Sequence, residues 1–209
     1  MTIALKVEVP FACFRQSRAR EYIRTYPVPP PSTVYGMLLS LVGEVDRYRH
    51  CGVEIAIALL SQPELSVVLR TFHRVKTLPR EDEKNQRPDY QEILSNIELM
   101  LWVRQGEEET VPCLRDRALT AILRPHEIDR FGSLCLGESR DLVDAVSIVS
   151  EGETEVPCRW LVRDEEGWLT LPHWVDHVGS KGTRWQRYEL QELSVNQPPE
   201  RAWVVIKPI

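Results

Sequence analysis

The chain has 209 residues, enough for one domain with a sizeable appendage and a real core. Its 43% hydrophobic and 27% charged residues exclude a disordered or fibrous chain, and no apolar run is long enough for a transmembrane helix. The net charge of −5 argues against a generic nucleic-acid binder. Five scattered cysteines without a CxxC pair argue against a disulfide framework and favour a reducing cytoplasm.

The charge is distributed unevenly along the chain. Residues 1–80 carry eleven Lys and Arg against six Asp and Glu, whereas the remainder carries fifteen against twenty-five. A basic N-terminal part joined to an acidic C-terminal part suggests an anionic ligand at one end and a protein neighbour at the other. The alternative is chance surface composition.

A first strand is predicted at residues 2–9, where apolar and polar residues alternate. Residues 11–26 follow as a loop or short helical excursion with four arginines. Arginine forks match phosphate oxygens, so these residues predict a phosphate-binding corner. The alternative is a solvated face on which Glu21 pairs with some of the arginines. The group consists of Arg15, Arg18, Arg20 and Arg24.

A proline-led helix comes next. Three consecutive prolines hold its approach extended, Ser32 or Thr33 is expected to cap it, and Gly43 suits a left-handed end. Almost every residue after Thr33 is apolar, which predicts a helix buried on most of its circumference. Gly36 in the first turn costs about 1 kcal/mol relative to alanine, which indicates that something comes close to the backbone there. The free N–H groups of the first turn suit an anion.

Alternation predicts a second strand at residues 53–59 and a third at residues 65–74. Residues 76–90 are charged and contain two prolines, which predicts a projecting loop or the tip of a hairpin between the third strand and a strand at residues 93–103. The two strands around this loop predict a long hairpin arm. By the period of two, one face of the third strand carries a basic and aromatic set that is typical of RRM-like sheets holding single-stranded RNA. The alternative is a partly covered amphipathic face. The set is Arg70, Phe72 and Arg74.

Thr110 is expected to cap a second helix at residues 111–123, which Pro125 ends. The resulting order β-α-β-β-α-β is that of a ferredoxin-like (RRM-like) fold. We therefore predict an α+β protein with an RRM-like domain at residues 1–130. Short strands predict a small, mostly β C-terminal extension at residues 131–209.

Other constellations carry weaker signals. His173 and His177 stand four apart, but no second pair of ligands has a matching spacing, so we expect neither a metal nor a cofactor. Basic and aromatic residues interleave at 181–188, which suits single-strand binding or an exposed hairpin anchored by one tryptophan. Three residues could serve a metal-independent ribonuclease, although such a set occurs near many RNA sites by chance. They are Tyr35, His73 and Lys76.

The segment PPPSTVYGMLLSLVGE at Pro29 to Glu44 closely resembles the corresponding segment of the Cas-five family, the RAMP-type subunits of type I CRISPR Cascade complexes. The stretches FACFR at residues 11–15 and LGESRDLV at residues 136–143 also look like that family, and FRQSRAREY is most similar to type I-B-like members. The resemblance implies a ferredoxin-like domain with a protruding β-hairpin thumb, which falls at about residues 70–104.

The resemblance also implies a function. Such proteins are structural subunits that cap Cascade by holding the 5′ handle of the CRISPR RNA. They contact a Cas-seven family backbone subunit and a Cas-eight family large subunit, and they meet target DNA only through the complex. We expect this role in the cytoplasm, without a membrane. The expected RNA-binding residues are Arg15, Arg18, Arg20, Arg24, Ser32, Thr33, Tyr35, Gly36, Arg70, Phe72, Arg74, Lys76, Gly137, Ser139 and Arg140.

The alternative is an endoribonuclease, because one branch of the family cleaves precursor CRISPR RNA with a tyrosine, a lysine and a histidine. Tyr35 has a possible counterpart there, but the predicted arm has no adjacent Lys-His pair, only His73-Arg74 and Lys76. We therefore expect no catalytic residue and favour the structural role.

Overall fold

The computed structural model describes residues 1–17, 22–73, 85–149, 158–193 and 197–208. Within these ranges one mixed β-sheet carries two α-helices on one face, which confirms the predicted α+β class. The described part of the chain contains no helix long and apolar enough to cross a membrane. The elements are β1 (Thr2–Ala12), β2 (Tyr22–Ile23), α1 (Pro31–Leu41), β3 (Glu54–Leu59), β4 (Glu64–His73), β5 (Gln86–Arg104), α2 (Leu114–Leu123), β6 (Ala145–Ile148), β7 (Cys158–Arg163), β8 (Leu169–Trp174), β9 (Arg184–Leu193) and β10 (Val204–Val205).

The main path of the sheet runs β6-β1-β5-β3-β7-β9-β8, and neighbours along it are antiparallel. The short strands β2 and β10 join at β5 and β3. Strands from the predicted C-terminal extension therefore pair directly with β1 and β3, so the extension continues the same sheet. The division at residue 130 stays a prediction.

Helix α1 begins at Pro31, with Pro30 as its N-cap residue and no side chain capping it. The expected cap by Ser32 or Thr33 is therefore wrong. Proline at the first helical position has the helical φ already and no N–H to satisfy, so the helix starts at least two residues earlier than a cap at Ser32 or Thr33 would allow. The helix ends as predicted, with Gly43 at φ 66°.

Strand β5 is 19 residues long and changes partners along its length. Residues 97–104 lie in the core of the sheet, whereas residues 86–95 pair with β4 as a hairpin. The predicted loop at residues 76–90 was too long, because β5 already begins at Gln86 and carries Pro88 opposite Thr71. Most side chains at this end of the hairpin are polar, including the buried Asp89, so no apolar alternation marked a strand that backbone pairing holds. The hairpin tip lies outside the described residues.

Helix α2 begins at Leu114, and the expected cap by Thr110 is wrong. The Thr110 hydroxyl donates instead to the carbonyl of Arg49. A carboxylate takes over at the helix start, because Glu109 Oε1 accepts the backbone N–H of Leu114. An anion is favourable at this end of a helix.

A buried ionic network joins the end of α1 to α2. Arg117 donates to Glu44 Oε2 at 2.5 Å and to the carbonyl of Val42 at 3.0 Å. It also donates to Nε2 of the fully buried His50, so the proton of that ring lies on Nδ1, which donates to Glu109 at 3.0 Å. The guanidinium lowers the pKa of Glu44 to about 2.

The helix-free face of the sheet is closed by tryptophans. Trp102 and Trp160 stack at 4.6 Å between ring centroids, and Trp203 from the C-terminal segment belongs to the same buried cluster. Arg104 covers the Trp203 ring at 4.1 Å. This is the face on which RRM-like sheets usually stack RNA bases. A ligand of this chain is therefore better placed at the helix side or at the edges of the sheet.

Candidate RNA interface

A glycine turn at residues 136–141 is held by hydrogen bonds next to the end of β1. The buried carboxylate of Asp141 accepts the N–H of Cys13 at 2.9 Å and the N–H of Glu138 at 2.7 Å. Gly137 has φ 121°, and a Cβ there would lie 2.6 Å from Asp141 Oδ2, so only glycine fits. Burial raises the pKa of Asp141. The turn is thus a fixed part of the surface.

Two arginines meet beside this turn. Arg140 donates to the side-chain oxygen of the fully buried Gln91 in β5 and lies 3.0 Å from Glu138 Oε2. Arg70 in β4 approaches the same carboxylate at 3.6 Å. Two guanidinium groups therefore share Glu138, and Arg140 also lies 4.0 Å from Asp141, so the two positive charges here are balanced by two carboxylates.

The segment between β1 and α1 adds exposed arginines to the same corner. It is held on the β4–β5 hairpin by pairing of β2 with β5 and by Glu92 Oε2, which accepts the Thr25 N–H at 2.9 Å. Arg15 pairs with Thr25 in an isolated bridge, and both Arg15 and Arg24 are exposed. We call the surface formed by Arg15, Arg24, Arg70 and Arg140 the basic corner.

On the other side of the glycine turn lies an open groove of about 290 Å³ at the start of α1. Ser32, Thr33 and Gly36 line it from the helix, and Gly137 lines it from the turn. None of the lining residues is acidic, which favours an anionic ligand over a cation. The full set is Ser32, Thr33, Tyr35, Gly36, Met37, Leu39, Ser40, Arg47, Cys135, Gly137, Trp174, Val175 and His177.

The wall of this groove is built from Tyr35, Trp174 and Arg47. The buried Tyr35 donates its hydroxyl to the Arg47 carbonyl at 2.7 Å, and burial raises the pKa of that phenol. Arg47 lies over the Trp174 ring at 4.3 Å and donates to the Val175 carbonyl. Arg47 and Trp174 were not predicted as site residues, because Arg47 follows the helix in a polar connection without periodicity and Trp174 looks like an ordinary strand end.

The structure differs from the expectation that some group approaches the backbone at Gly36. A Cβ built on Gly36 would meet no atom within 4 Å, so nothing in the described chain approaches its backbone. The exposed Gly36 instead borders the open groove.

The structure brings the expected site residues together in two neighbouring places. The groove takes Ser32, Thr33, Tyr35 and Gly36, the basic corner takes the described arginines, and Gly137 and the exposed Ser139 belong to the turn between them. Five expected residues cannot be placed: Arg18, Arg20, Arg74 and Lys76, together with the side chain of Phe72, lie outside what the structure describes.

The histidine pair of the C-terminal extension is not part of a larger set of potential metal ligands among the described residues. No group of three or more His, Cys, Asp and Glu side chains among them could hold a metal ion. His177 lines the groove, whereas His173 is half-buried and its pKa is lowered by burial and by nearby Arg184.

The sequence and the fold match those of known proteins. A protein described as "CRISPR-associated protein Cas5" from Myxococcus xanthus (strain DK1622) is 42% identical over 194 residues, which cover 91% of both chains. A chain of a solved "CRISPR RNA-guided surveillance complex" superposes with a TM-score of 0.64 at 15% identity and covers 92% of this chain and 89% of its own. A solved structure described as "Crystal structure of Cas protein" has a TM-score of 0.53 at 16% identity and covers both chains fully.

The two structural matches are too distant in sequence to show more than a shared fold. The family described as "CRISPR-associated protein (Cas_Cas5)" matches residues 2–207 in sequence. With a 42% identical relative that covers nearly the whole chain, this chain belongs to the Cas5 family of CRISPR-associated proteins.

Proposed function

We propose that this protein is a structural subunit of a type I CRISPR effector complex of the Cascade kind, and that it holds the 5′ handle of the CRISPR RNA. One observation carries the proposal. A fixed surface of four arginines adjoins a groove without acidic lining, on a chain whose net charge is −5. Such a local concentration of guanidinium groups suits a phosphodiester backbone. The type I-B-like subtype belongs to the same proposal.

The ferredoxin-like arrangement is part of this proposal. The order β6-β1-β5-β3, with α1 between β1 and β3 and α2 between β5 and β6, supports it. The tryptophan-covered face supports RNA contact at the basic corner and the groove rather than on the open sheet face of an RRM.

A thumb at about residues 70–104 would extend as the β4–β5 hairpin and dock on a Cas-seven family backbone subunit. Three residues of β4 that alternate along the strand, Leu65, Val67 and Leu69, are 59%, 50% and 63% exposed. Tyr90, opposite Leu69 on β5, is also exposed and stacks on Tyr22 at 6.3 Å. An exposed apolar and aromatic row of this kind suits a protein partner. The acidic remainder would face a Cas-eight family large subunit, with target DNA contacted only through the complex.

We propose a non-catalytic role. A ribonuclease with Tyr35 as its general base needs a phenol that can lose its proton near neutral pH. The Tyr35 hydroxyl is buried, donates to the Arg47 carbonyl and has a raised pKa. These features support a structural role for Tyr35 in the wall of the groove instead of a role as a general base.

The test compares binding of the full chain to an RNA that begins with the repeat-derived 5′ handle and to a scrambled RNA of equal length. The double variant Arg24→Glu, Arg140→Glu should weaken handle binding about tenfold or more, because it reverses two charges that face phosphates. The matched control is Arg124→Glu, an exposed arginine paired with Glu127 beyond α2, which should change affinity less than twofold. Equal affinity of the double variant and the unmodified protein would refute the placement.

A further inference from the structure

Gly36 is a glycine that the fold of this chain does not require. It lies in the second turn of α1, which begins at Pro31, and has a helical backbone, where alanine is the better helix former. Space beside it is open, since a Cβ would meet nothing within 4 Å among the described residues. A glycine without a conformational or packing reason, at the floor of a groove, indicates that a group from outside the chain comes close to the backbone.

Arg47 is held in place at the same groove. Its guanidinium carbon lies 4.3 Å over the Trp174 ring and its Nη2 donates to the Val175 carbonyl, while its own carbonyl accepts the Tyr35 hydroxyl. Its Nε has no hydrogen-bond partner in the described chain. A guanidinium fixed on an indole can carry a nucleobase on its opposite face and still donate hydrogen bonds.

The groove limits what such a ligand can be. Its volume of about 290 Å³ is at the lower end of small-molecule sites, so it has room for a single nucleotide. The lining offers the hydroxyls of Ser32 and Thr33, the imidazole of His177 and the guanidinium of Arg47, but no carboxylate. Hydroxyl, imidazole and guanidinium groups suit base edges and phosphate oxygens.

We propose that the groove holds one extruded nucleotide of the bound RNA, with its base on Arg47 and its backbone close to Gly36. This inference rests on the proposed function, because it assumes that the RNA reaches the neighbouring basic corner. It adds Arg47 as a base-stacking residue and gives Gly36 the role of leaving space for the nucleotide.

The test asks whether the loss of one base and the substitution of Arg47 affect the same contribution to RNA affinity. The full chain is titrated with a set of handle RNAs, each with one abasic nucleotide, and the set is repeated with Arg47→Lys, which keeps the charge but loses the planar group. At one position the abasic RNA should bind about tenfold more weakly to the unmodified protein. Arg47→Lys should remove that difference, while thermal unfolding shows that the variant is folded.

A second variant keeps the test independent of the stability of Arg47→Lys. Gly36→Gln fills the groove from an open helical position and should weaken handle binding about tenfold. Its control Thr120→Gln makes a similar change on α2 and should leave handle binding unchanged. The two variants probe the same pocket from opposite sides.

Two outcomes would overturn the inference alone. In the first, the unmodified protein still prefers handle RNA to scrambled RNA. However, each abasic nucleotide weakens binding to Arg47→Lys by the same factor as binding to the unmodified protein. The other is a Gly36→Gln variant that binds RNA normally but no longer co-purifies with its protein neighbours, which would identify a protein side chain as the occupant. Loss of any preference for handle RNA over scrambled RNA in the unmodified protein would instead refute the proposed function itself.

Discussion

The two ends of α1 are built in opposite ways. Its C-terminal end is closed by a buried ionic network, in which Arg117 reaches the Val42 carbonyl and Glu44, and Glu109 starts the next helix. Its N-terminal end has no side-chain cap and opens into the groove beside Gly36. The polar groups at the closed end are paired within the chain, whereas Ser32 and Thr33 at the open end line a groove. We infer that stability and RNA contact are separated along one helix, and substitutions at each end test that separation.

A large effect on stability is expected at the closed end. Arg117→Met should lower the free energy of unfolding by about 2 kcal/mol, because the buried His50–Glu109 pair would lose a partly buried partner, whereas Glu44 keeps Arg49 at 3.2 Å. Urea denaturation measures the loss, and handle affinity of the folded protein should stay within twofold. The control Arg124→Met breaks an exposed pair with Glu127 and should cost about 0.5 kcal/mol or less. Equal costs for the two variants would contradict a buried network.

Alanine substitutions of the two glycines that line the groove, Gly36 and Gly137, should change the stability of the protein in opposite directions. Gly137→Ala should destabilise the protein by about 2 kcal/mol, because φ is 121° and the new Cβ would clash with Asp141. Gly36→Ala should stabilise it by about 1 kcal/mol, because the position is helical and open. Thermal unfolding of the two variants distinguishes the signs. A destabilising Gly36→Ala would show that the chain itself needs this glycine.

The stability contributed by the network at the C-terminal end of α1 should depend on pH. The pKa of Glu44 falls from 4.5 to about 2 on folding, so its contribution to stability is present above pH 4.5 and is lost as the pH falls towards 2. The difference in unfolding free energy between the unmodified protein and Arg117→Met should therefore narrow over this interval. Denaturant titrations at several pH values measure the narrowing. A constant difference down to pH 2 would mean that Glu44 is not the partner that matters.

The smallest expected effect concerns the start of α1. Ser32→Ala should change stability by less than about 0.5 kcal/mol, because no side chain caps this helix. A true hydroxyl cap would cost about 1 kcal/mol when removed. Chemical denaturation resolves the two cases, and a loss of the larger size would contradict the proline start.

Sequence patterns predicted the elements whose side chains divide cleanly between buried and exposed. Alternation located β1, β3 and β4, and the prolines with the apolar run located α1, because burial of one face imposes these periods. Strand β5 extends beyond its pattern, since residues 86–90 are mostly polar and even the buried Asp89 gives no apolar alternation. Local sequence therefore indicates where side chains are buried better than where the backbone is paired.

The candidate site was predictable only in part. The prolines, Gly36 and Gly137 stand out in the sequence, but Arg47 reaches the groove through contacts with Trp174 and Val175, well over a hundred residues away in sequence. The tryptophan cover of the helix-free face likewise depends on strands from both parts of the chain. Such long-range contacts leave no local periodicity, so they appear only once the chain is folded.

Crosslinking tests the central claim most directly. The full chain, co-purified with its complex and with CRISPR RNA carrying 4-thiouridine in the 5′ handle, is irradiated and digested with trypsin. We expect the crosslinked peptides to be those of α1 and the glycine turn, residues 25–47 and 131–140. Crosslinks confined to the peptides that contain Trp160 and Trp203, on the tryptophan-covered face, would contradict the account.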